Sequence, residues 1–152
     1  MSLGGGGGGQ MQQVAQQIEQ LEQTKEAIEA EIETLEEEKR DIDEAIDAID
    51  QLDSGSTVQV PIGGGAYVRA EVQDIDEVIV DLGADYSAER DQEGAKSSLE
   101  TKQEKLDDQI DDLRSEIAEV ETQVQELEQE AEQMQAQQMQ QLQQQQQEQQ
   151  DE

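Results

Sequence analysis

Between residues 11 and 49 apolar side chains recur at alternating steps of three and four: Met11, Val14, Ile18, Leu21, Ile28, Ile32, Leu35, Ile42, Ile46 and Ile49, with Lys25 and Lys39 in two of the slots. That spacing is the a/d seam of a coiled coil, a single narrow stripe on one helix. It returns at Leu99, Lys102 or Gln103, Leu106, Ile110, Leu113, Ile117, Val120, Val124, Leu127, Ala131 and Met134. A stripe this narrow closes no globular core and must be covered by another helix. The two seams are nearly equal in length and the chain reverses between them, which predicts an antiparallel coiled-coil hairpin. Residues whose numbers sum to about 151 then face each other, placing Lys25 near Glu126 and Lys39 near Asp111 and Asp112. Each seam lysine either fixes the register, at some loss of stability, or reaches out to solvent.

Composition points the same way. The 152 residues include no His, Cys, Trp or Phe, and the only aromatic residues are Tyr67 and Tyr86. A compact core relies heavily on bulky apolar and aromatic side chains. The absence of Cys removes disulfides, thiolate metal sites and thiol nucleophiles, and the absence of His removes the commonest acid–base group and metal ligand. Against 40 acidic residues stand 9 basic ones, a formal net charge of −31, which repels nucleic acid and anionic membrane surfaces. A chain repelling itself this strongly is expected to need concentrated salt, as proteins of salt-accumulating organisms do. Met1-Ser2-Leu3 followed by Gly4 to Gly9 does not read as a signal peptide, and no apolar run is long enough to span a membrane. A cytoplasmic protein is expected.

The middle of the chain changes period. Thr57 to Val60 alternates, Pro61 to Gly65 reads as a turn, and Ala66 to Val72 alternates again. An acidic loop follows at Gln73 to Glu77, then a strand at Val78 to Leu82, a turn at Gly83 to Asp85 and a strand at Tyr86 to Arg90. These are two β-hairpins in series. The expected organisation is a flexible Gly-rich arm (1–10), a coiled-coil helix (11–53), the two hairpins as an oligomerisation module (56–90), a second coiled-coil helix (91–134) and a Gln-rich tail (135–152). The class is α+β, mostly α. Ser54-Gly55 is the stop signal of the first helix, and Asp91 the N-cap of the second, with Ser97 and Glu100 as a rival capping box. Two such hairpins cannot bury a core alone. Val58, Val60, Val68, Ala70, Val72, Val78, Val80 and Leu82 are therefore candidates for an interface with other subunits, reinforced by open strand edges.

Several motifs carry no chemistry. Gly94-Ala95-Lys96-Ser97 lacks the adjacent Gly-Lys and the upstream Gly of a phosphate-binding loop. Gly63-Gly64-Gly65 lies between two strands with no helix after it. Asp41-Ile42-Asp43-Glu44 sits in an unbroken helical pattern with no Gly to bend a calcium loop. No catalytic residue, cofactor or metal ligand is expected, and an enzyme reading is poor. The helix ends remote from the hairpins are more informative. Met11, Val14, Met134, Met139 and Leu142 collect there, including three of the four Met residues. Met suits surfaces that accept varied partners. The plain alternative is that Met11, Val14 and Met134 only complete the seam.

Helix, two hairpins, helix resembles the layout of prefoldin alpha-type subunits. The first hairpin, Val58-Gln59-Val60-Pro61-Ile62-Gly63-Gly64-Gly65-Ala66-Tyr67-Val68, is similar to that family's Val-x-Val-Pro-Leu-Gly turn and Tyr-Val strand. The second, Val78 to Arg90, is similar to its Val-Gly-x-Gly-Tyr-x-Val-Glu segment, with Asp85 where a Gly is common and Ala88 where Val is usual. The resemblance covers the chain outside the Gly arm and the Gln tail. It implies a hexamer of two alpha and four beta subunits with a β platform, coiled-coil tips that grip non-native proteins without ATP, and transfer of those clients to a group II chaperonin. The rival reading is a coiled-coil scaffold or tether that binds no client.

Overall fold

The computed structural model describes residues 6–150, with side chains from residue 8. Two long helices, α1 (Gly6–Gln51) and α2 (Gln92–Gln150), flank four strands: β1 (Thr57–Gly63), β2 (Ala66–Glu71), β3 (Val78–Gly83) and β4 (Tyr86–Arg90). The predicted class and element order hold. The chain divides into two compact units, one made of residues up to 32 and from 112 onward, the other of residues 33–111.

In the second unit the helical segments run antiparallel. Lys39 pairs with Asp107, and Lys96 with Asp50 at 2.7 Å. The Gln103 amide donates to the carbonyl of Lys39 at 3.2 Å and also to the Asp43 carboxylate. In the first unit Lys25 reaches Glu121 at 3.0 Å, and Thr24 and Gln123 line one groove with Leu21 and Leu127. Within each unit the ion-paired numbers sum to 146 (25 with 121, 39 with 107, 50 with 96) rather than to about 151. The offset corrects the expected partners Glu126, Asp111 and Asp112 by more than one helical turn. The cause is the start of α2: equal seam lengths do not reveal where Asp91 and Gln92 dock on the end of α1.

The seams themselves are where the spacing put them. Val14, Ile28, Ile32, Ile110 and Val120 are buried, and Met11, Ile18, Leu21, Leu35, Ile42, Ile46, Ile49, Leu99, Leu106, Leu113, Ile117, Val124, Leu127, Ala131 and Met134 are half-buried. Lys25 and Lys39 are half-buried too, their stems along the seam and their ammonium groups on the facing helix. Each pairs with a facing-helix carboxylate that is itself about half exposed.

The helix limits differ from expectation at both ends. Residues 6–10, read as arm, belong to α1, and residues 135–150, read as tail, belong to α2. Gln is a good helix former, so the tail sequence propagates a helix already begun. The glycines are poor formers and can only be carried by the helix that follows them. Residues 1–5 of the expected arm and 151–152 of the tail lie outside the described residues.

The junction between α1 and α2 is built from side-chain caps. Asp91 is the N-cap: its carboxylate accepts from the Gly94 amide at 2.7 Å and its carbonyl from Ala95 at 2.8 Å. Gln92, the first residue of α2, donates its side-chain amide to the carbonyls of Ile49 (2.7 Å) and Leu52 (3.2 Å), satisfying acceptors left open at the end of α1. Ala95 is fully buried beside this joint.

Candidate functional site

The hairpins are two separate two-stranded sheets, β1 with β2 and β3 with β4, both antiparallel. Each closes on two residues with positive φ. Gly64 (59°) and Gly65 (81°) close the first, and Ala84 (52°) and Asp85 (64°) the second. This is the backbone twist that tight hairpins favour, and glycine adopts it freely. In the second turn Ala84 bears a Cβ in a conformation that disfavours one. Pro61 and Ile62, read as turn, lie in β1, and a register shift falls between Pro61 and Gly63. Pro61 fits there because β1 is an edge strand, where a missing amide breaks no ladder.

In the first hairpin Val58 stands opposite Ala70 and Val60 opposite Val68. Val72 continues the ladder through the Ser56 carbonyl at 2.8 Å. Val58, Val60, Val68, Ala70 and Val72 thus share one face by alternation. Val60 and Val68 are exposed, while Val58, Ala70 and Val72 are half-buried. In the second hairpin the face of Val78, Val80 and Leu82 is turned toward the helices. Val80 is 4 % exposed, Val78 half-buried and Leu82 exposed. Lys102 of α2 donates to the Asp81 carbonyl at 2.8 Å, and Leu82 lines a groove of about 410 Å³ with Ile42 and Leu106.

The strongest exposure falls on Ile79, on the opposite phase of β3, and on Tyr86 beside the second turn. Ile79 is 74 % and Tyr86 73 % exposed, beside Ile62 at 65 % and Tyr67 at 62 % in the first hairpin. These four were absent from the residues singled out by alternation. Ile62 continues the phase of Val58 and Val60, so that signal was present in the sequence. For Ile79 there was none, since period alone does not say which face of a hairpin its own helices cover.

At the free ends of the helices Val14 is buried, Met11 and Met134 are half-buried, and Met139 and Leu142 are exposed. The five residues singled out there are therefore divided: three within the seam, two on the outer surface of α2.

The charged groups near the seam have structural partners. The hydrogen bond and charge of Glu121 hold the Lys25 ammonium above the ordinary lysine value of 10.5. The hydrogen bonds of Asp50 and Glu93 do the same for Lys96. Lys96 thus joins α2 to α1. Among the described residues there is no group of three His, Cys, Asp or Glu placed to hold a metal ion, and no helix long and apolar enough to cross a membrane.

Comparison with known proteins identifies this arrangement. The model of the family described as "Prefoldin subunit" matches residues 9–137. Prefoldin subunit alpha of Halobacterium salinarum is 62 % identical over 103 residues, which cover 68 % of this chain and 67 % of that protein. That of Halorubrum lacusprofundi is 60 % identical over 100 residues, covering 66 % of each. That of Haloarcula marismortui is 70 % identical over 55 residues, and the match spans 36 % of its length. A cryo-EM structure of filamentous PFD from Methanocaldococcus jannaschii superposes with a TM-score of 0.51 at 30 % identity, covering 77 % of this chain and 93 % of that one. Paired long helices joined by two small hairpins, a family match over most of the length and this degree of identity agree: the chain belongs to the prefoldin family of chaperone subunits, with the alpha-type subunits of halophilic archaea.

Proposed function

We propose that the chain is a subunit of a prefoldin hexamer, two alpha with four beta, that holds unfolded proteins without ATP and delivers them to a group II chaperonin. The observation that carries this reading is the hairpin pair. Two isolated two-stranded sheets with apolar Ile62, Tyr67, Val68 and Ile79 in solvent are unfavourable in a lone chain. Both strands of each sheet are edges, and pairing with strands of other subunits satisfies backbone groups and covers apolar surface together. Val58, Val60, Val68, Ala70, Val72, Val78, Val80 and Leu82 are proposed for that interface. Val80, already covered by its own chain, serves it by holding the second hairpin in place.

Client contact is proposed for the helix ends, through Met139 and Leu142 directly and through Met11, Val14 and Met134, which lie within the seam. Many weak contacts from several subunits act together there, so no single tight site is required. The reaction class is capture rather than catalysis, the protein is placed in the cytoplasm, and no cofactor is invoked. The burial of Val14 favours the rival reading of a scaffold that binds no client.

Assembly and capture are tested together. The chain, mixed with a beta-type partner in concentrated salt, is expected to give the native mass of two alpha and four beta chains and to suppress aggregation of a denatured client. Normal assembly without suppression establishes the scaffold instead, and no assembly at all removes the hexamer.

A further inference from the structure

Charge is distributed unevenly along both helices. No ionisable side chain occurs from Met1 to Ile18, and none from Gln133 to Gln147, in a chain of net charge −31. Glu19 begins the acidic pattern of α1, and Glu132 ends that of α2 apart from Glu148 and the last two residues. Ion pairing within the unit made of residues up to 32 and from 112 onward couples Lys25 to Glu121, and the same register sets Gln13 level with Gln133. Residues 6–13 of the one stretch therefore lie beside residues 133–140 of the other, at one end of the unit. Their outer positions are glutamines: Gln10, Gln12, Gln13, Gln16 and Gln17 on α1, all exposed, and 13 glutamines between residues 133 and 150 of α2.

Helix formation does not explain the choice. Gln and Glu have nearly equal helix propensity, and elsewhere on the same helices the outer positions are mostly Glu and Asp. What Gln changes is charge: it keeps a hydrogen-bond donor and an acceptor and carries no ion to desolvate. Toward a basic partner, removing carboxylates forfeits attraction, and toward a neutral one it spares only their desolvation. Toward an acidic partner it removes repulsion and unpaired buried carboxylates at contact range, where salt screens least.

We infer that the paired helix ends are a charge-free contact surface for non-native polypeptides of net negative charge, held by glutamine amides around the exposed Met139 and Leu142. The inference rests on the capture reading above and names its client class. Gln135, Gln138 and Gln146 lie four residues from Met139 or Leu142 on the same side of α2, and all three are exposed.

The test uses the full chain assembled with its partner subunits, wild type and a Gln135→Glu, Gln138→Glu, Gln146→Glu variant, at about 1 M and about 3 M salt. Binding is read by fluorescence anisotropy with three permanently unfolded polypeptides: one acidic, the same sequence with Asp and Glu replaced by Asn and Gln, and one basic. The variant is expected to bind the acidic probe about five- to tenfold more weakly at the lower salt, with a smaller loss at the higher. The amidated probe should bind as before and the basic probe more tightly. A Gln→Lys variant at the same positions should show the opposite order, and its helicity by circular dichroism should match wild type. Equal affinity of wild type and Glu variant for the acidic probe overturns the inference while leaving capture intact. Failure of the wild-type complex to bind any probe overturns the capture reading itself.

Discussion

At the scale of single residues, Ala84 is the clearest departure from what its backbone requires. Its φ of 52° lies in the left-handed region, next to Asp85 at 64°, whereas the first hairpin places Gly64 and Gly65 in the same roles. Asp tolerates this conformation through its short polar side chain, but Ala has no such compensation. Ala84→Gly is expected to stabilise the folded chain by about 1 kcal/mol, read as a higher denaturant midpoint with an unchanged slope. Gly94 presents the reverse case. A Cβ there would stand 2.5 Å from the Asp91 carboxylate oxygen that caps α2. Gly94→Ala should therefore displace the cap and destabilise by about 1 kcal/mol, the usual loss for an N-cap. Two interhelical lysines set a pH limit. Lys25 and Lys96 are held above the ordinary value of 10.5 by their carboxylate partners. A raised value in the folded state means that the contribution is complete below 10.5 and lost as pH rises through the raised value. Thermal midpoints in concentrated salt should thus be insensitive to pH near neutrality and fall above pH 10.5 as these pairs are lost. Lys25→Met with Lys96→Met should lessen that alkaline fall.

At the scale of elements, the helices and hairpins are stabilised in different ways. Each helix covers one stripe with the other, so its stability follows from continuous seam burial and from the caps at the α1–α2 joint. The hairpins depend on what lies beyond them. β3 and β4 rest on the helices through Val80 and the Lys102 contact, leaving Ile79 and Tyr86 outward. Ile79→Ser, at a position 74 % exposed, should leave the helical signal of the isolated chain unchanged but weaken assembly with partner subunits, read as lost complex in native mass spectrometry. Unchanged assembly would show that this face stays in solvent. Much of the element order was legible in the sequence because two periods, 3.5 and 2, are written without interruption. The alternation of Val78, Val80 and Leu82 was legible too, but its meaning was not. A period tells which residues share a face and is silent on whether the chain's own helices or another subunit covers it.

At the scale of the whole molecule, charge is the governing term. With 40 acidic against 9 basic residues, nearly every outer position of the acidic stretches repels its neighbours. The screening length is about 3 Å at 1 M salt and about 30 Å at 0.01 M, so dilution extends each repulsion over many more charges. Dialysis from concentrated to about 0.01 M salt is expected to abolish most of the helical circular dichroism, with recovery on restoring salt. Retention of full helicity at low salt would mean that the seams and caps outweigh the repulsion unaided. The uncharged helix ends stand outside this balance.

The sequence by itself determined the two seams, the two hairpins and the family, because each is a local pattern: a step of three or four, an alternation, a turn, a string of residues in order. Tertiary structure alone decided the register. The joint at Gln92 and the ion pairs of Lys25, Lys39 and Lys96 set it at 146 instead of about 151, since a repeating stripe accepts several offsets and only the closing contacts select one. It also decided which hairpin face is spare, turning Val80 inward and leaving Ile79 in solvent. Both outcomes depend on contacts between residues distant in the chain, which no local period encodes.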